Sequence, residues 1–347
     1  IDSHVGLPTI RHGKGIWWEL DAPPFEAAIE AGVDVIMSAH VRVPSLDPSG
    51  RPATLSQPIL SGLLRDRMGY DGVIMTDSLT MAAIRDRYGD DRAPVLALKA
   101  GADMLADPPD LPVAFRGVLR AVERGEISPQ RLDRSVERIL RLKDRLGLLD
   151  DPFVDVNAVQ DALGTPEDLA VAQRVGEAAV TILRDRQGWL PLKGGWDIAL
   201  TGSRPEGAGT LARNLLELGR STTIGWTGND PGRTATAKAE RLAREHDLTI
   251  VVARQLGAFP QQRQLIQRLL DTAQRVVIVY ADSPYDAGWF PGAPAQVVTY
   301  SDVGVSMRGL ARVLDGEVLA TGKLPVRIPR PGGGTLYPFG HGRSPAR

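Results

Sequence analysis

A chain of 347 residues is long enough for about two domains of ordinary size. Its 41 Lys+Arg nearly cancel its 42 Asp+Glu, which excludes a basic field that would attract nucleic acid or anionic lipid. Without cysteine there are no disulfides and no thiolate chemistry, and no stretch of about 18 uninterrupted apolar residues exists to cross a membrane as a helix.

Short apolar, β-branched runs alternate with amphipathic stretches, the pattern of an α/β fold with buried parallel strands. In the first part, Val33–Ser38, Gly72–Thr76 and Ala102–Ala106 are predicted strands. Pro24–Glu30, Gln57–Arg67 and Met81–Ala100 are predicted helices, and a glycine-containing turn leads from each helix into the next strand. Polar residues follow the strands: Ser38-Ala39-His40, Thr76-Asp77-Ser78 and Asp107. Such positions line the functional mouth of a (β/α)-type barrel. A helical block, Leu111–Leu148, closes this part.

Asp150-Asp151-Pro152 breaks the pattern, which divides the chain into 1–150, a linker over 151–165 and a second unit over 166–347. A long helix is predicted from Pro166 to about Leu183. Strands follow at Ile198–Thr201, Thr222–Trp226, Thr249–Ala253, Val276–Tyr280 and Gln296–Tyr300, alternating with helices, so an open sheet of five strands covered on both faces is expected. Trp189, Trp196 and Trp226 are expected to pack within it. The first part has three barrel-type strands where a closed barrel needs eight, and the chain begins with Ile rather than Met. It therefore reads as the back end of a larger domain, completed by upstream sequence or by another chain.

Asp77 ends a buried strand just ahead of a helix, where dipoles favour an ionised carboxylate. A positioned, ionised carboxylate is what a retaining glycosidase uses as nucleophile, and it is equally what caps a helix. In Asp2-Ser3-His4, residues two apart can face the same way, so Asp2 could set the tautomer of His4 and make it a general acid/base. An isolated pair of this kind at a chain end can also be without function. His40, at a strand end, is either a substrate contact or a hydrogen-bonded structural histidine. Trp17 and Trp18 suit a sugar-stacking surface or core packing. His12, His246 and His341 have no evident partners. No metal-ligand spacing, Walker lysine or G-x-G-x-x-G spacing is present, so no metal, cofactor or nucleotide is expected.

Taken together, these segments resemble glycoside hydrolase family 3, specifically its β-N-acetylglucosaminidase branch. The resemblance rests on Asp2-Ser3-His4, Leu7-Pro8-Thr9-Ile10, Pro24-Phe25, Gly32–His40, Pro52–Ser56, the block around Asp77 and Ala100–Leu105. In the second part it rests on Ser283–Asp286 and Gly322–Val326. It implies the C-terminal part of a (β/α)8 barrel followed by an αβα sandwich domain. It also implies Asp77 as nucleophile, His4 as general acid/base and Asp2 as its orienting partner. The family's K-H-x-P-G-H-G stretch is not in this sequence, and the residues that bind the sugar's hydroxyls and N-acetyl group are expected upstream of Ile1. The activity implied is retaining release of terminal β-linked N-acetylglucosamine from muropeptides or chitooligosaccharides. A phosphorylase using phosphate as acceptor, or a non-catalytic carbohydrate-binding relative, are the alternatives. A small carbohydrate is the expected partner, and a monomer is favoured. The compartment, bacterial cytoplasm or export, is not legible in this sequence.

Overall fold

After the helix Ala22–Glu30 the chain enters β1 (Val35–Met37), which pairs in parallel with β2 (Val73–Met75), Ile36 opposite Ile74. The third predicted strand contracts to a single parallel bridge, Met75 to Met104. It is held by Asp103 N–H to Ile74 O at 2.7 Å and Thr76 N–H to Met104 O at 3.0 Å. The computed structural model describes residues 2–343, and the chain divides at Val154 into two compact units. Its architecture is α/β, the C-terminal part of a barrel followed by a sandwich domain.

In the first unit the helices Pro58–Arg67 and Arg92–Ala100 cover the strands, burying Leu60, Leu64, Ile74, Ala97 and Ala100 in one core. The single helix predicted over Met81–Ala100 is two, Ala82–Tyr88 and Arg92–Ala100. Gly89 divides them with φ +75°, a conformation that a side chain would strain. Two further helices, Leu111–Glu123 and Pro129–Arg145, make up the predicted closing block.

Beneath the sheet, the fully buried Asp103 carboxylate joins these layers. It accepts from Arg65, from Ser135 Oγ at 2.6 Å and from the Ile74 N–H at 3.0 Å, with Arg138 at 3.5 Å and Arg131 at 3.6 Å. Arg131 also donates to the Ala102 carbonyl at 2.6 Å, so the last helix is tied to the third strand segment at two points.

The second unit holds a six-stranded sheet. Its parallel strands are β4 (Ile198–Gly202), β5 (Thr222–Trp226), β6 (Leu248–Ala253), β7 (Val276–Tyr280) and β8 (Ala295–Val298). The sixth, β3 (Thr181–Asp185), runs antiparallel to β8 and occupies the end of the span predicted as this unit's first helix. That helix ends at Ala179, because the β-branched Thr181 and Ile182 pair with Val298 and Val297 instead. The order β3-β8-β7-β6-β4-β5 places the chain's change of direction at β4. Helices Ala208–Glu217 and Gly304–Asp315 cover one face, through Leu211, Leu215, Met307 and Leu310, and Trp189, Trp196 and Trp226 pack at the margin of that core. Arg233–Glu245 and Pro260–Thr272 cover the other, through Ala239, Ala243, Leu265 and Leu269.

Outside the first layer, the helix Pro166–Ala179 begins with a capping box between Thr165 and Asp168 and crosses Gly304–Asp315 at backbone contact. A β-carbon on Gly176 would lie 2.7 Å from the Val305 carbonyl oxygen, and one on Gly309 2.6 Å from that of Gly176. Gly176→Ala is expected to destabilise this unit by roughly 1–3 kcal/mol through overpacking. Gly209→Ala, in a helix where an added β-carbon meets nothing within 4 Å, should instead stabilise it by roughly 0.5–1 kcal/mol. Thermal unfolding followed by circular dichroism tests the pair, and equal responses would contradict the backbone-contact account.

Candidate active site

Asp77 lies immediately beyond β2, and the chain does not return to helix until Ala82, whose N-terminal cap position is Met81. Asp77 therefore does not cap that helix, which removes the commonest structural role for an aspartate after a strand. Instead it sits half-buried in a loop bonded on both flanks. On one flank, Thr76 Oγ1 accepts from the Ala106 N–H at 2.9 Å. On the other, the Leu79 N–H donates to the Ala106 carbonyl at 3.1 Å. The Ser78 N–H donates to Asp77 Oδ1 at 2.8 Å, and Oδ2 has no hydrogen bond among the described residues.

Ser78 is the centre of the loop. Its hydroxyl donates to Asp107 Oδ2 at 2.7 Å and meets Thr80 Oγ1 at 2.5 Å. Asp107 holds φ +46°, a region in which aspartate is among the few tolerated side-chain-bearing residues, and strain there is found where function fixes the backbone. The Ser78 carbonyl accepts from His40 Nε2 at 2.9 Å.

His40, read from the sequence as either a substrate contact or a structural histidine, is turned inward. It is fully buried, and its other nitrogen, Nδ1, lies 2.9 Å from Thr54 Oγ1. Both ring nitrogens are thus committed inside the protein, the arrangement of a hydrogen-bonded structural histidine. A carbonyl can only accept, so Nε2 carries the proton and Nδ1 accepts from Thr54. Burial pulls the ring's pKa below the usual histidine value, while the Ser78 carbonyl and the Asp77 charge pull the other way.

Asp2 and His4 meet as the spacing suggested. In an exposed turn closed by the Val5 and Gly6 N–H groups on the Asp2 carbonyl, His4 Nδ1 lies 2.7 Å from Asp2 Oδ1. The same oxygen accepts from the His4 backbone N–H at 2.9 Å. The backbone bond first, then the ring bond, holds the Asp2 carboxyl below its ordinary range. With Nδ1–H on the carboxylate, Nε2 is the nitrogen left to exchange a proton. The segment that follows runs beside the loop after β1, with Ile10 N–H to Arg42 O and Arg42 N–H to Pro8 O, both at 2.9 Å. The Asp2–Gly6 turn and the Asp77 loop share no hydrogen bond among the described residues.

Trp17 is buried against Ala22, Val43 and Leu63, and Trp18 meets it edge-on at 5.1 Å with Arg67 stacked over its ring, so this pair packs rather than offering a sugar platform. His12, without an evident partner in the sequence, bonds Asp21 at 2.5 Å. His246 and His341 bond the Leu242 and Leu183 carbonyls. No cluster of ionisable side chains with metal-ligand geometry occurs among the described residues. Sequence reasoning placed Ser78 and Asp107 at the strand ends without giving either a role, and it named Thr54 only within the Pro52–Ser56 block.

Residues 1–142 match the family model described as the glycosyl hydrolase family 3 N terminal domain, and residues 180–344 match that of the family 3 C-terminal domain. The chain belongs to glycoside hydrolase family 3. A structure similar to this family 3 chain is that of a family 3 β-N-acetylglucosaminidase from Paenibacillus sp. str. FPU-7. It shares 32% identity at a TM-score of 0.85, over 93% of this chain and 64% of that one. Among curated relatives, a β-N-acetylglucosaminidase/β-glucosidase of Cellulomonas fimi is 27% identical and β-hexosaminidase A of Pseudoalteromonas piscicida 26%. Each of these alignments covers 94% of this chain but 63% of the relative, so the chain spans less than two thirds of their length.

Proposed function

We propose that this family 3 chain carries the nucleophile and the acid/base of a retaining β-N-acetylglucosaminidase. The observation that carries the reading is Asp77: a carboxylate at the end of a buried barrel strand, in a loop bonded on both flanks, with one oxygen oriented by a backbone N–H and the other unengaged among the described residues. A group with that placement and no capping duty is suited to attack a sugar's anomeric carbon. The choice of N-acetylglucosamine is supported by the named activities of the Paenibacillus, Cellulomonas and Pseudoalteromonas proteins, and by the Asp2–His4 pair, which supplies an acid/base without a second carboxylate.

In the first step Asp77 Oδ2 forms a bond to C1 as the C1–O bond to the leaving group breaks, and His4 gives its Nε2 proton to the departing oxygen. In the second, His4 takes a proton from water, the water oxygen bonds to C1, and the ester to Asp77 breaks. Two inversions leave the β configuration in place. Asp2 anchors Nδ1 throughout and stabilises the protonated ring.

A slow-turnover fluorinated N-acetylglucosaminide should label the peptide containing Asp77 in the full-length enzyme, and proton NMR should show the β-anomer released first. A label on another peptide, or an α product, would sink the assignment. His4→Ala should lower turnover of an unactivated disaccharide by about 10²–10⁴-fold, yet leave the glycosylation step of a nitrophenyl glycoside close to wild type, because a good leaving group needs little protonation. A histidine acid/base imposes no carboxylate charge on an incoming anion, so the same assay with inorganic phosphate separates water from phosphate as acceptor. Sugar 1-phosphate among the products would mark a phosphorylase.

A further inference from the structure

Ser38, Thr54, His40 and Ser78 form one directed line of hydrogen bonds. Ser38 Oγ donates to Thr54 Oγ1 at 3.0 Å, the Thr54 hydroxyl is 2.9 Å from His40 Nδ1, and His40 Nε2 is 2.9 Å from the Ser78 carbonyl. Direction follows from the ends. The carbonyl cannot donate, which puts the imidazole proton on Nε2; Nδ1 must then accept, which uses the single Thr54 proton; and Thr54 Oγ1 is left to accept from Ser38. Ser38, Thr54 and His40 are all buried, so no water competes for these groups.

Three elements are joined in this way. Ser38 follows β1, and its N–H is bonded to the Met75 carbonyl at the end of β2 at 2.8 Å. Thr54 lies in the short turn Ala53–Leu55. That turn belongs to a loop braced by the buried Asp47, which accepts from Ser56 Oγ at 2.5 Å and from the Ser49 N–H at 2.9 Å. The line ends on the residue whose N–H orients Asp77.

We infer that His40 is a positioning residue for the nucleophile: by holding the Ser78 carbonyl from below, while Asp107 holds the Ser78 hydroxyl, it fixes the direction in which the Ser78 N–H presents Asp77. The inference rests on Asp77 being the nucleophile. A single residue, Ser78, is thus held at its carbonyl and its hydroxyl and spends its remaining polar group on the carboxylate. Removing the His40 donor leaves the Ser78 carbonyl unpaired and its peptide held only through the Leu79 N–H on Ala106, so Ser78 can tilt and carry Asp77 with it relative to a bound sugar without touching the sugar. Misplacement on the scale of an ångström costs about 10²-fold in rate.

The test uses the full-length enzyme with His40→Leu, His40→Gln and Thr54→Val. His40→Leu should lower kcat and the rate of covalent labelling by the fluorinated glycoside on the order of 10²-fold, with KM unchanged, because ground-state sugar binding does not pass through Ser78. His40→Gln, whose amide can still donate to the Ser78 carbonyl, should recover most of that loss, and Thr54→Val, which frees the ring's tautomer, should lose an intermediate amount. Wild-type labelling rates in His40→Leu, or a glutamine variant no better than leucine, would overturn the positioning role. Should His40→Leu fail to fold, Thr54→Val decides the matter, and an unchanged labelling rate there overturns the proposal. A label away from Asp77 in the wild-type enzyme is a different failure, because it removes the nucleophile assignment itself.

Discussion

Asp77→Ala in the full-length enzyme should lower kcat on the order of 10⁴-fold or more for every substrate, activated or not, because no leaving group relieves the need for a nucleophile. The melting temperature should stay close to wild type. Asp77 caps no helix, is half-buried, and accepts its hydrogen bond from its own neighbour, so little folding energy depends on it. Added azide should restore part of the rate and yield the α-glycosyl azide, since the anion attacks C1 from the face that the carboxylate vacates. Retention of a tenth or more of the activity would show that another group performs the attack. Together, an unchanged fold and an azide-rescued rate distinguish lost chemistry from lost structure.

Asp103→Ala should have the largest effect on stability, about 3–5 kcal/mol, the scale for leaving buried charge without its partner. The Asp103 side chain is 0% exposed, and the three guanidinium groups around it, of Arg65, Arg131 and Arg138, are 12%, 16% and 19% exposed. Burial pulls the Arg65 and Arg131 pKa values down and Asp103 pulls them back up, so the carboxylate supplies the compensation that these cations need. The contrast is Asp90→Ala. Its bridge to Arg85, at 3.2 Å with the arginine 53% exposed, should matter by about 0–1 kcal/mol. Urea unfolding of both variants checks the pair. A loss below about 1 kcal/mol at Asp103 would mean that the neighbouring carbonyls, not the carboxylate, hold the arginines in place.

Much of the layout was legible because buried parallel strands write themselves as unbroken apolar runs. Val73–Met75, Leu248–Ala253 and Val276–Tyr280 fall within or beside their predicted spans. What failed has local reasons. Val180–Leu183 continues the apolar run of the preceding helix, and only pairing with β8, more than a hundred residues later, converts it to a strand. The third barrel segment contributes one bridge and three backbone bonds to Ile74 and Thr76, too few for a ladder, although its apolar pattern matches the other two.

At the site the division is similar. The Asp2–His4 pair could be read from a spacing of two, and Asp77 from its place after a strand. For His40 two readings stayed open, since its inward turn depends on Thr54, fourteen residues away in a short helical turn, and on a backbone carbonyl that no residue identity announces. His12 and Asp21 were hidden by the helical turns between them, which bring residues nine apart to 2.5 Å.

Position 107 shows how narrow the choice of side chain becomes beside this site. A left-handed backbone admits glycine, asparagine and aspartate readily and little else, and of these only the last two reach the Ser78 hydroxyl. Geometry has therefore already settled size and shape there, and what is left open to adjustment is whether the group carries a negative charge. Few places in the chain would let an experimenter alter the electric field at the mouth of the strands while leaving the contour of the protein as it was.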